Sequence, residues 1–395
     1  MKVVLVNKFY YNRGGDCTAV FSTQRLLESK GHEVAVFTTK RPQNEYSPWE
    51  GYFPEDVEFS FTGFKGKASA AMRIFYSTEV SRKFNALLSD FKPDVVHLHN
   101  IHSYISPLVA QIAHKRGVRV VWTLHDYKLI CPIYICIRDG RVCEECFRDK
   151  SRVFAHKCMK NSRIASFLAW MEALRWNKDR LSKITDTFIS PSHFLKAKMM
   201  EGGYPGEKIE VLHNFRPDEM APAVEKEDYY CYVGRLTIEK GVDTLLEAAS
   251  RLPYRLKIIG GGPLLDEYRA RYRCEQIEFA GQIRPSELYP IVRKARLLVI
   301  PSVWYENNPF SVIEALCAGT PVLGARIGGI PELIDEGENG FLFTPGSVDE
   351  LRLKIEECLG YFTSLDIFEK IALDAQNKFG AEPFYSKLMN IYHDH

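Results

Sequence analysis

Two runs of short apolar segments, each alternating with amphipathic helical patterns, constrain the fold of this chain most. In the first half VVLVN, EVAVFTT, VVHLH, RVVWTLH and DTFISPS read as strands. Helical periodicity lies between them, as in Ala19–Lys30 and Ser106–Arg116. In the second half YYCYVG, RLKIIGG, IEFAG, LLVIPS and PVLGA are strand candidates, with helices expected at Gly241–Arg251, Leu264–Arg273 and Phe310–Ala318. Apolar strands that alternate with helices belong to parallel sheets covered on both faces. The expectation is an α/β chain of two Rossmann-like domains, 1–213 and 229–375. Residues 214–228 would link them, and a C-terminal helical segment, 376–395, would follow.

The charge supports two different halves. Residues 1–216 hold 33 Lys and Arg against 22 Asp and Glu, and residues 217–395 hold 19 against 28. A basic half suits an anionic partner such as nucleic acid, lipid or a phosphorylated acceptor, or is simply a solvated basic surface. No aromatic-basic motif of a nucleic-acid binder accompanies it, so no nucleic-acid partner is expected. No apolar run reaches membrane-spanning length, and the start, MKVVLVNKFYYNRGG, lacks a signal-peptide core. A cytoplasmic protein is expected.

In such sheets ligands meet the carboxyl ends of the strands, and polar motifs cluster there. The first strand runs into Gly14-Gly15-Asp16, where a glycine pair lets backbone approach a phosphate or merely turns tightly. His125 and Asp126 end the strand WTLHD, at the edge where a ligand would lie, whereas His97 and His99 read as structural. Gly234 ends another strand, and Arg235 and Lys240 flank the turn that follows, so two cations could neutralise a diphosphate. Before the helix at Phe310, Asn308 suits the N-cap and Pro309 the first helical position, which leaves the Phe310 and Ser311 amides for an anion. Glu306 precedes that helix and Glu314 lies one turn inside it. One carboxylate can meet a sugar while the other grips a ribose diol.

Together GRLTIEKG, IGGGP, FAGQI, ENNPFSVIEALCAGTPVL and GGIPELI, with the GGD loop and the VVHLHN, TLHDY, SPSHF and VLHNF segments, resemble the family 4 glycosyltransferases. These are retaining enzymes of the GT-B fold, in which two Rossmann-like domains with parallel sheets face a central cleft. The resemblance covers almost the whole chain. It implies a nucleotide-sugar donor, UDP- or GDP-linked, and a glycan or lipid-linked acceptor, with a role in cell-surface polysaccharide biosynthesis. It implies no catalytic metal. Arg235 and Lys240 would bind the donor diphosphate, Glu314 the ribose and Glu306 the sugar hydroxyls. Phe310 and Ser311 would offer amides, Gly15 would approach the diphosphate, Ile283 would lie by the base and His125 by the transferred sugar. The final helix would return to the first domain. One departure is that the usual Pro-Asn-Gly linker stands here as Leu212-His213-Asn214-Phe215.

Other function classes fit less well. An NAD-dependent oxidoreductase would need a G-x-G-x-x-G turn with an acid about 20 residues on, which the first strand lacks. A catalytically inactive GT-B homologue that binds sugar nucleotides or glycans would not need Glu306, Glu314, Arg235 and Lys240 together.

Two features stand outside the resemblance. Cys131, Cys143, Cys146 and Cys158 follow C-x11-C-x2-C-x11-C, with Cys136 and His156 nearby. They suit either a structural zinc or a set of reduced thiols. Residues 151–183 are basic and carry Phe154, Phe167, Trp170 and Trp176. They form either a core-facing helix or a face for an anionic membrane, which would place the enzyme at the inner face of the cytoplasmic membrane.

Overall fold

The computed structural model describes residues 1–56, 76–216 and 223–394. The chain divides into two compact units. The first holds Met1–Arg138, Cys143–Leu212 and Tyr385–His395, and the second holds Asp139–Val142 and His213–Phe384. Part of the linker read from the sequence, 217–222, lies outside the described residues.

The first unit is built on six parallel strands, β1 (Lys2–Val6), β2 (Glu33–Phe37), β3 (Val95–Leu98), β4 (Arg119–Thr123), β5 (Thr187–Ser190) and β6 (Ile209–Val211). They lie in the order β2-β1-β3-β4-β5-β6. Val3, Val4, Leu5 and Val6 are all fully buried, which requires cover on both faces. Helices α1 (Gly15–Ser29), α2 (Thr78–Phe91) and α3 (Arg163–Arg175) belong to this unit. In α2, Val80, Phe84, Leu87, Leu88 and Phe91 make one buried stripe, and the Ser77 side chain caps it by accepting from the Val80 amide.

The second unit repeats the plan with β7 (Tyr230–Val233), β8 (Leu256–Ile259), β9 (Ile277–Gly281), β10 (Leu298–Ile300), β11 (Val322–Ala325) and β12 (Gly340–Phe343). All pairings are parallel and the order is β9-β8-β7-β10-β11-β12. Helix α4 (Val242–Ala249) follows the turn after β7, and α5 (Phe310–Cys317) follows the loop after β10. Helix α6 (Leu365–Phe379) buries Phe368, Ile371, Ala372, Ala375 and Phe379. Burying Phe368, Ile371 and Phe379 contributes about 1.5–3 kcal/mol each. The last helix, α7 (Ala381–His393), starts in the second unit and ends in the first.

Strand order locates the ligand edges. A crevice opens where successive strands depart to opposite sides. In the first sheet that point lies between β1 and β3, and in the second between β7 and β10.

Candidate active site

The β7–β10 edge carries the strongest constellation. Glu306 is buried, and its Oε1 accepts three hydrogen bonds: from Lys240 Nζ at 2.6 Å, Ser302 Oγ at 2.7 Å and Trp304 Nε1 at 3.1 Å. No hydrogen bond from the described residues reaches Oε2, so the three donors all crowd one oxygen. Burial pushes the Glu306 carboxyl up, but the Lys240 charge and the three donors more than offset it, and the group sits below its ordinary value. Lys240 also lies 5.3 Å from the Trp304 ring centre.

Backbone packing sets this geometry. Lys240 ends a 3-10 turn, Ile238–Lys240, closed by left-handed Gly241 at φ +62°. A Cβ on Gly241 would fall 2.1 Å from the Pro301 carbonyl oxygen, so only glycine lets this turn lie against the end of β10. Gly260, at φ +135°, brings the end of β8 equally close to Gly234, with a Cβ position 1.9 Å from the Gly234 oxygen. Arg235 is exposed and makes no ion pair among the described residues. Ile283 is half-buried after β9, against the apolar core.

The start of α5 differs from expectation. The N-cap is Pro309 in an extended conformation, not Asn308, and no side chain caps the helix. Asn308 is turned away. Its Oδ1 accepts from the Asn214 amide and its carbonyl from Asn214 Nδ2, each at 2.8 Å, and its Nδ2 lies 3.3 Å from His213 Nδ1. Because Asn308 is spent on residues 213 and 214, the Phe310 and Ser311 amides keep no side-chain acceptor. They are more open to an anion than a capped helix would leave them. Glu314 lies 3.3 Å from Arg216 Nη1, a cation the sequence reading passed over. Arg216 in turn stands 4.9 Å from the Tyr289 ring centre.

In the first unit the β1–β3 edge gathers a row of imidazoles. His97 is buried between Tyr392 of α7 (Nδ1···Oη 2.7 Å) and Thr123 (Nε2···Oγ1 2.7 Å). Its ring stacks on His99 at 4.3 Å, and His99 Nδ1 lies 2.9 Å from His125 Nε2. Burial lowers all three, His97 to about 3 and His125 to about 4, although the nearby Asp16 charge pulls His125 upward. Asp16, in the first turn of α1 beside Gly15, accepts from Asn100 Nδ2 at 2.9 Å. Burial raises its carboxyl, yet Asn100, His125 and Lys8 together bring it below its ordinary value. Asp126 does not pair with His125; its Oδ1 accepts from the Lys128 amide at 2.8 Å.

Cys131, Cys136, Cys143, Cys146 and Cys158 lie in the same unit as α3. Among the described residues no three His, Cys, Asp or Glu side chains come together to hold a metal ion. Cys146 and Cys158 lie near enough to Cys131 and Cys143 to feel their charge. The Cys136 thiol donates to Cys131 and holds it below its ordinary value, and His156 Nε2 meets Glu145 Oε2 at 2.9 Å. Helix α3 buries small residues, Ala165, Ser166 and Ala169, together with Glu172. Ile164, Phe167 and Leu174 are exposed, and Phe167 joins Phe154 and Trp170 in an aromatic cluster. Among the described residues no helix is long and apolar enough to cross a membrane.

Two parallel α/β units with ligand edges at their carboxyl ends are the plan of the GT-B fold, and solved structures of that fold match the chain. HepE of Anabaena, in complex with UDP-glucose, matches with a TM-score of 0.64 at 18% identity over 99% of both chains. Residues 14–219 match Glycosyltransferase Family 4 and residues 217–360 match Glycosyl transferases group 1. The chain belongs to the family 4 glycosyltransferases. A 42.6 kDa uncharacterized protein in the cps region of Klebsiella pneumoniae is 29% identical over 84% of this chain and 87% of its own length. The putative colanic acid biosynthesis glycosyltransferase WcaL of Escherichia coli is 28% identical over 47% of this chain and 49% of its own.

Proposed function

We propose that this protein is a retaining, metal-independent glycosyltransferase that moves a hexose from a UDP-sugar to a glycan or lipid-linked acceptor in cell-surface polysaccharide biosynthesis. The observation that carries this reading is the half-saturated Glu306 carboxylate beside Lys240, a few residues before an uncapped helix start. Arg235, Lys240 and the Phe310 and Ser311 amides supply positive charge for a leaving diphosphate, the role a divalent cation would otherwise fill. Oε2 of Glu306 accepts from a sugar hydroxyl, and Glu314 accepts from the ribose. UDP is favoured over GDP because HepE holds UDP-glucose.

The reaction breaks the bond between the anomeric carbon and the phosphate oxygen, and the electron pair leaves with UDP. The acceptor oxygen bonds to the anomeric carbon on the same face, and its proton passes to the departing phosphate. Among the described residues no second carboxylate contacts Glu306, and the reading does not use a covalent glycosyl-enzyme of the paired-carboxylate type. The family resemblance gives His125 a place by the transferred sugar. The exposed Ile164, Phe167 and Leu174 among arginines and lysines support attachment to an anionic bilayer, where a lipid-linked acceptor resides.

Incubation with UDP-hexoses and GDP-hexoses, with and without chelator, tests the assignment. Release of UDP that chelator does not diminish is expected. Turnover confined to GDP-sugars, or abolished by chelator, would contradict it.

A further inference from the structure

The row of imidazoles in the first unit holds a residue whose ring nitrogens meet, among the described residues, only another histidine. His99 is 2% exposed. Its Nδ1 meets His125 Nε2 at 2.9 Å, and its Nε2 is buried with no hydrogen-bond partner among the described residues. Its backbone oxygen accepts from Trp122 Nε1 at 3.0 Å, and His97 stacks on one face of the ring, so the ring is fixed in place.

Burial keeps both rings neutral, and each therefore carries one N–H. Two arrangements satisfy the contact. If His125 donates from Nε2, the His99 proton must sit on its own Nε2, as an orphaned buried donor. If His99 donates from Nδ1, its Nε2 is a bare lone pair and the His125 proton moves to Nδ1. Orphaned buried N–H groups are the rarer and costlier defect. We propose that His99 is a positioning residue that donates from Nδ1 to His125 Nε2 and so holds His125 as its Nδ1–H tautomer, with that N–H free to donate to a substrate oxygen. His97, pinned by Tyr392 and Thr123, is the fixed floor of the row.

The inference deepens the assignment of His125 to the transferred sugar and rests on it only for its catalytic consequence. The test is nitrogen-15 spectroscopy of the imidazoles in the full chain, with His99→Phe and His99→Asn variants. The asparagine amide nitrogen stands where Nδ1 of histidine does and keeps a donor. The wild-type protein should show His125 protonated on Nδ1. His99→Phe should move that proton to Nε2 in part or wholly and lower kcat up to about a hundredfold, with a smaller change in KM. His99→Asn should restore both the tautomer and most of the rate. A wild-type His125 protonated on Nε2, or a His125 signal unchanged in His99→Phe, would overturn the proposal. If His99→Phe fails to fold, the wild-type and His99→Asn spectra decide alone. An unaffected rate in His125→Ala would instead remove His125 from the reaction and leave the tautomer assignment standing on its spectrum.

Discussion

Lys240 and Glu306 form one partly buried ion pair, Nζ to Oε1 at 2.6 Å, so the cation assigned to the leaving diphosphate and the carboxylate assigned to the sugar are a single unit before any ligand arrives. Lys240→Ala then removes a leaving-group charge and also leaves a buried carboxylate without its counter-charge. Turnover should fall roughly a hundredfold or more, and stability should fall by about 3 kcal/mol. Lys240→Met combined with Glu306→Gln should recover the stability in thermal melts but not the turnover. A double variant no more stable than Lys240→Ala would show that the pair is not coupled.

The two carboxylates should separate in calorimetry. Glu314→Ala should weaken UDP binding, because the ribose loses its acceptor and the Arg216 guanidinium loses its partner. Glu306→Gln should leave UDP binding almost intact and blunt discrimination between UDP-sugars. Equal losses of UDP affinity in both would contradict this division.

The buried histidines predict how stability follows pH. His97 and His125 are lowered to about 3 and about 4 in the folded chain, against ordinary values near 6.5. Between these values the unfolded chain binds protons that the folded chain refuses, so stability is full above about pH 6.5 and falls as pH drops toward 4. Each histidine contributes at most about 1.4 kcal/mol per pH unit. Melts of wild type and His97→Gln across this window should show a shallower slope for the variant. Parallel curves would mean that His97 titrates freely.

Much of this was legible beforehand because it is periodic or local. Apolar strands, glycine turns and the Glu306–Glu314 spacing are carried by neighbouring residues, and they placed both sheets and the β7–β10 edge. What escaped depends on residues far apart in the chain. Arg216 reaches Glu314 across almost a hundred positions, Tyr392 reaches His97 across nearly three hundred, and Asn308 left its expected capping role because Asn214 competes for it. Strands β6 and β12 were not among the strands read from the sequence.

The cysteines offer a further check. A structural zinc held by Cys131, Cys143, Cys146 and Cys158 would give about one metal per molecule in elemental analysis and a melting temperature that falls with chelator. Far less than one zinc, with a melting temperature that ignores chelator, would leave these cysteines as reduced thiols.

Membrane attachment is tested on α3. Co-sedimentation with anionic vesicles should exceed that with neutral ones and weaken with salt. Replacing exposed Ile164 and Phe167 by Ser should reduce it without changing the fold. No pelleting with anionic vesicles at low salt would move the acceptor towards a soluble molecule.

The most direct test of the central claim is the anomeric configuration of the sugar first released when the protein slowly hydrolyses UDP-glucose, followed by proton NMR before mutarotation. Retaining transfer assisted by the Lys240–Glu306 pair predicts α-glucose from the α-linked donor, and loss of that signal in Lys240→Ala. A first-formed β anomer, or UDP bound tightly with no turnover of any nucleotide sugar, would contradict the account.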